Sequence, residues 1–99
     1  MVIGALTADL LLGDVHSLKE KRFVVKPLVQ ELRRRFEVSA AETGSHDLHR
    51  RAEVSVGLVG ADHDHVHDVL TACERLIAAH PEFELLSTRI RVLDDDDLD

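Results

Sequence analysis

His16-Ser17-Leu18-Lys19-Glu20-Lys21-Arg22 joins an alternating apolar strand to a basic helix, and fixing that boundary sets the order of the remaining elements. Upstream, Val2, Gly4, Leu6, Ala8, Leu10 and Leu12 alternate with Ile3, Ala5, Thr7, Asp9 and Leu11, a period of two that reads as a strand. Gly13-Asp14 breaks the run. Ser17 followed three residues later by Glu20 reads as a capping box, in which side-chain oxygens take up N–H groups that a helix start leaves free. Downstream, Leu18, Val25, Leu28, Val29, Leu32 and Phe36 recur at helical spacing. Pro27 removes a backbone donor inside that stripe, so a kink is expected there, or a helix proper beginning near Phe23.

Residues 37–43 and 51–59 read as two short strands, separated by the polar connection Gly44-Ser45-His46-Asp47-Leu48-His49-Arg50. That connection is longer than a tight hairpin needs, a length typical of functional or mobile loops. A second helix starts at or near Asp62, buries Val66, Val69, Leu70, Cys73, Leu76 and Ile77, and stops at His80-Pro81. Residues 83–93 form the last strand. The order β-α-β-β-α-β is the split βαβ arrangement of ferredoxin-like α+β folds, with an antiparallel sheet in strand order 4-1-3-2 and both helices on one face. One domain is expected over 1–93, with a solvated, disordered acidic tail over 94–99.

Composition narrows the function classes. Ninety-nine residues suffice for one core without metal or disulfide support. The single cysteine, Cys73, can form no internal disulfide, and no apolar run or leader pattern appears, so a cytoplasmic, non-membrane protein is expected. A net charge of −7 argues against coating of DNA or RNA by bulk electrostatics. The charge is uneven: residues 1–51 carry nine Lys/Arg against seven Asp/Glu, whereas residues 52–99 carry three against twelve. An anionic partner should therefore meet the first half.

The topology gathers residues distant in sequence. The turn at 13–17, the loop at 44–50 and the turn at 80–82 share one end, bringing together His16, Lys19, Lys21, Arg22, His46, Asp47, His49, Arg50, Arg51 and His80. The opposite end should hold Arg33–Arg35, the histidines His63, His65 and His67, and the acidic tail, placing Asp94–Asp97 near the arginines. The uncovered sheet face should carry Ala5, Thr7, Asp9, Ser39, Ala41, Glu53, Ser55 and Gly57, with Arg89 or Arg91 pairing Asp9.

Several chemistries can be weighed on these residues. Stacking of RNA bases on the sheet needs aromatic side chains, and the central strands have none. A basic-helix mode survives, because Lys19, Phe23 and Lys26 follow a stripe distinct from the core stripe and Phe23 is offered beside positive charge. The turn Gly13-Asp14-Val15-His16 has no glycine-rich phosphate cradle. His63 and His67 stand at i and i+4, but on a first turn where polar caps are common, so no metal is assigned. His46-Asp47 and His49 are acid–base material without a supported nucleophile; no catalytic residue and no cofactor are assigned. Cys73, on the apolar stripe, reads as a buried structural thiol.

The segment 16–22, followed by Phe36-Glu37-Val38-Ser39-Ala40-Ala41-Glu42, Asp47-Leu48, Arg51-Ala52 and Pro81-Glu82-Phe83-Glu84-Leu85-Leu86, resembles the YlxP-like family, a bacterial domain of unknown function (503). The resemblance covers residues 1–93 and implies the ferredoxin-like fold. It also implies gene company with a translation-initiation factor and a ribosome-maturation factor, without an established reaction. The family commonly places an aromatic shortly after the Asp-Leu pair; here His49 stands there. The expected function is thus a non-enzymatic binding protein near the ribosome or RNA. Its contact residues would be His16, Lys19, Lys21, Arg22, Phe23, Lys26, His46, Asp47, His49, Arg50 and Arg51. A homodimeric interaction module using the sheet face is the alternative, and a small hydrolase acting on an anionic substrate ranks behind both.

Overall fold

A computed structural model describes all 99 residues. Strand β1 (Val2–Leu12) leads into helix α1 (Leu18–Phe36), followed by β2 (Ser39–Gly44), β3 (Arg51–Gly60), α2 (His63–Ala78), β4 (Phe83–Leu93) and a single turn, α3 (Asp95–Leu98). The sheet order is β2-β3-β1-β4, and every neighbouring pair is antiparallel. This is the ferredoxin-like α+β arrangement that the sequence specifies.

The alternation in β1 translates directly into burial. Leu6, Ala8, Leu10 and Leu12 are fully buried beneath the helices, while the odd-numbered residues face the uncovered side. Leu28 and Leu32 of α1 and Val66, Leu70, Cys73 and Ile77 of α2 complete the core. Gly4 lets α2 lie close on β1, since a methyl group there would collide with Val66 and Leu70.

Helix boundaries follow local chemistry. Ser17 caps α1, its hydroxyl accepting from Glu20 N–H at 3.1 Å, and the Glu20 carboxylate reaches back to His16 N–H at 2.8 Å. That contact lies one residue outside the usual capping box. Helix α1 runs unbroken through Pro27, which lies on its solvent side, so the expected late start at Phe23 does not occur. Glu37 takes a left-handed conformation at φ 53° and ends the helix by donating to Arg33 C=O; β2 therefore begins at Ser39 and not at residue 37.

Two β-bulges bend the sheet margins. On β2 the extra residue is Thr43, between the Glu42–Val54 and Gly44–Glu53 pairs. On β4 it is Leu86, between Ser87, opposite Asp9, and Leu85, opposite Leu10. No helix is long and apolar enough to cross a membrane.

The chain's last residues also settle differently from the expected arrangement. Residues 95–98 form one helical turn capped by Asp94, and Asp95 accepts from the Met1 amino group at 3.1 Å. Backbone N–H of Asp97 holds the Asp94 carboxyl below the usual range, with His63 contributing nearby positive charge. The tail thus sits beside the chain start and α2, away from Arg33–Arg35. Strand order explains the separation, because β4 ends on one edge of the sheet while α1 hands over to β2 on the other.

Candidate functional site

The sequence-predicted contact residues separate into six environments. Lys19, Arg22, Phe23 and Lys26 lie exposed on the outer face of α1. His46, Asp47 and His49 are exposed on the connection between β2 and β3. Arg50 folds back, its Nε donating to Leu12 C=O at 3.3 Å. Arg51 belongs to the uncovered sheet face, where it pairs with Asp9, a diagonal cross-strand neighbour that displaces the expected Arg89 or Arg91. His16 stays in its turn, with Nε2 2.8 Å from Asp14.

Lys21 departs furthest from a docking role. Its side chain is 3% exposed, and its ammonium group is held by one carboxylate and two carbonyls. Nζ lies 2.8 Å from Glu42, and it donates to Ser45 C=O at 2.7 Å and Leu48 C=O at 2.8 Å. Buried among these groups, the ammonium has almost no surface to offer a partner. Lys21 therefore clamps the 44–50 connection onto α1. Leu48 N–H closes the turn on Ser45 C=O at 3.1 Å, and Ser45 adopts a left-handed φ of 59° to allow it. Sequence spacing carried a signal for this burial: Lys21 falls four residues before Val25 and seven before Leu28, on the core stripe itself, whereas Leu18 at its head is exposed.

The loop end is also less basic than the gathered cations suggest. Asp14, Glu20, Glu82 and Glu84 are exposed among them. A cleft of about 330 Å³ between the end of β1 and the start of β4 is lined by Arg50 together with Glu82 and Glu84. His80 packs against Phe83 with ring centroids 4.7 Å apart and the planes tilted by 52°.

The outer face of α1 is different in kind. Lys19, Arg22, Phe23, Lys26, Gln30, Arg33 and Arg34 recur at three- and four-residue intervals, and no acidic residue interrupts them. Phe23 is 72% exposed in their midst, not folded against the 44–50 connection. Arg33 also braces the free edge of β2, its Nε and Nη2 donating to Ala40 C=O at 2.9 and 2.6 Å. The stripe covers roughly 22 Å, from the 1.5 Å rise per residue.

The uncovered sheet face holds a polar centre. Thr43 donates to Glu53 at 2.8 Å, so its oxygen accepts from Ser55 at 2.7 Å, and Ser55 in turn accepts from Thr7 at 3.2 Å. Each hydroxyl has one proton, which fixes the direction of the chain from Thr7 to Glu53. Around it, a depression of about 240 Å³ is lined only by polar residues, Asp9, Glu53, Ser87 and Arg89 among them. No group of three His, Cys, Asp or Glu side chains converges as metal ligands would.

The geometry defines a small ferredoxin-like α+β domain with a cationic helix face and a polar open sheet. A family model described as "Protein of unknown function (DUF503)" matches residues 3–90. The chain is 30% identical over 88 residues to the "Uncharacterized protein YlxP" of Bacillus subtilis (strain 168), a match covering 89% of this chain and 96% of the relative. The chain belongs to the DUF503 family.

Proposed function

We propose that this protein is a non-catalytic docking protein that contacts RNA of the ribosomal particle through the outer face of α1. The observation that carries the reading is the acid-free stripe of Lys19, Arg22, Lys26, Arg33 and Arg34 around an exposed Phe23, in a chain of net charge −7. Cations at helical spacing can follow a phosphate backbone, and an exposed ring beside them supplies stacking area. The gene company implied by the family resemblance points to the same partner.

Co-sedimentation with ribosomal particles at low and moderate salt tests the reading. Wild type should pellet with a particle at low salt, and Lys19→Glu/Arg22→Glu/Lys26→Glu should abolish it. Each lost phosphate contact should lower the slope of log affinity against log salt by about 1. Absence of the wild-type chain from every particle at low salt would sink the reading.

A further inference from the structure

We infer that two copies of this chain dock through the uncovered sheet face, stacked about a two-fold axis that crosses the strands between Thr7 and Asp9. The inference is independent of the RNA reading, because α1 lies on the opposite face of the sheet.

The argument rests on register. In one row across the sheet, Gly57, Ala5 and Arg91 stand side by side on β3, β1 and β4. Six residues along β1, another row presents Arg51, Leu11 and Glu84 on the same strands. A two-fold axis midway between the rows exchanges them. Leu11 then lies over the partner's Ala5, and Arg51 over the space left by the partner's Gly57. Arg91 meets the partner's Glu84. Each match occurs twice, a large side chain against a small one or a cation against an anion.

The centre of the face fits the same operation. Asp9 and Arg51 pair with each other, whereas no ion-pair partner lies within 4 Å of Glu53, Glu84, Arg89 or Arg91 in the single chain. The axis carries Arg89 from its place opposite Thr7 to a place above the partner's Ser87, at the rim of the polar depression that holds Asp9 and Glu53. An axis along the strands would instead set Asp9 on the partner's Asp9 and Ala5 on the partner's Ala5, a like-charge contact and a void. Like charges brought directly opposite are unfavourable, so the crosswise axis is the self-complementary one.

Size sets the strength. Four strands spaced about 4.8 Å apart and some nine residues long present roughly 500 Å² per copy, near the lower bound for a specific interface. The dimer should therefore form at micromolar concentrations and not below.

Sedimentation equilibrium of the full chain tests this, with circular dichroism melts to verify that each variant is folded. Wild type should dimerise at high micromolar concentration. Arg91→Glu and Glu84→Arg should each raise the dissociation constant at least about tenfold, since two pairs become repulsive. Combined, Arg91→Glu/Glu84→Arg should restore dimerisation, because the pairs re-form with their signs exchanged. A wild-type chain that stays monomeric at high micromolar concentration would overturn the inference. So would single variants that dimerise as wild type does, or a double variant no better than either single one.

Discussion

Two residues apart on the same helix, Lys21 is buried and Phe23 stands 72% exposed. Average preferences assign these side chains the other way round. The inversion separates two tasks within one turn of helix. Lys21 faces the sheet and spends its charge inside the protein, donating to two loop carbonyls beside the Glu42 carboxylate. Phe23, with Lys19, Arg22 and Lys26, faces outward and makes no contribution to the core. A cation in the sequence is therefore a poor guide to the surface until its helical phase is known.

The largest effect should come from breaking the buried member of this pair. Lys21→Met leaves the Glu42 carboxylate without its counter-charge and two loop carbonyls without their donor, at an expected cost of about 3 kcal/mol. For a domain of this size the melting temperature should fall by roughly 12 °C or more. Hydrogen exchange should show the 44–50 backbone losing protection first. Adding Glu42→Met should recover part of the loss, since the orphaned carboxylate is then removed. A cost under about 1 kcal/mol in urea unfolding would mean the loop is held by other contacts.

A second buried polar group extends the contrast to one that makes no ion pair. Burial pushes the Cys73 thiol up from 9.0 to about 11. The unfolded chain releases this proton first, so the native state binds more protons across that window and stability falls as pH rises from 9 toward 11. The slope is at most about 1.4 kcal/mol per pH unit, and Cys73→Ala should remove this component from the pH–stability curve. Superimposable slopes for the two proteins would contradict it.

The exposed member should show the reverse pattern. Phe23→Ala should change stability by no more than about 0.5 kcal/mol while weakening co-sedimentation with ribosomal particles. A stability loss comparable to that of Lys21→Met would make Phe23 a packing residue and dissolve the contrast.

The fold was legible because both periodicities are clean. The even residues of β1 and the Val25–Leu28–Leu32 stripe can each bury only one face, and the strand order follows from the resulting β-α-β-β-α-β sequence. The candidate contact surface was half legible. Lys19, Phe23 and Lys26 are readable as an exterior stripe, whereas Lys21 shares only their charge, and its spacing places it with Val25 and Leu28. The partner of Asp9 was unreadable for another reason: Arg51 reaches it diagonally from β3, and only side-chain geometry distinguishes that from Arg89 or Arg91 on β4, the other neighbour of β1. The tail's position depended on which sheet edge each helix leaves from, a property of strand order and not of charge.

Pro27 carries a consequence for how the start of α1 is held. Having no N–H, it leaves the Phe23 carbonyl without the donor that the next helical turn would supply. The segment carrying Lys19, Lys21 and Phe23 is therefore joined to the rest of α1 by one backbone hydrogen bond fewer, and the Lys21 clamp on the 44–50 connection steadies it from the side.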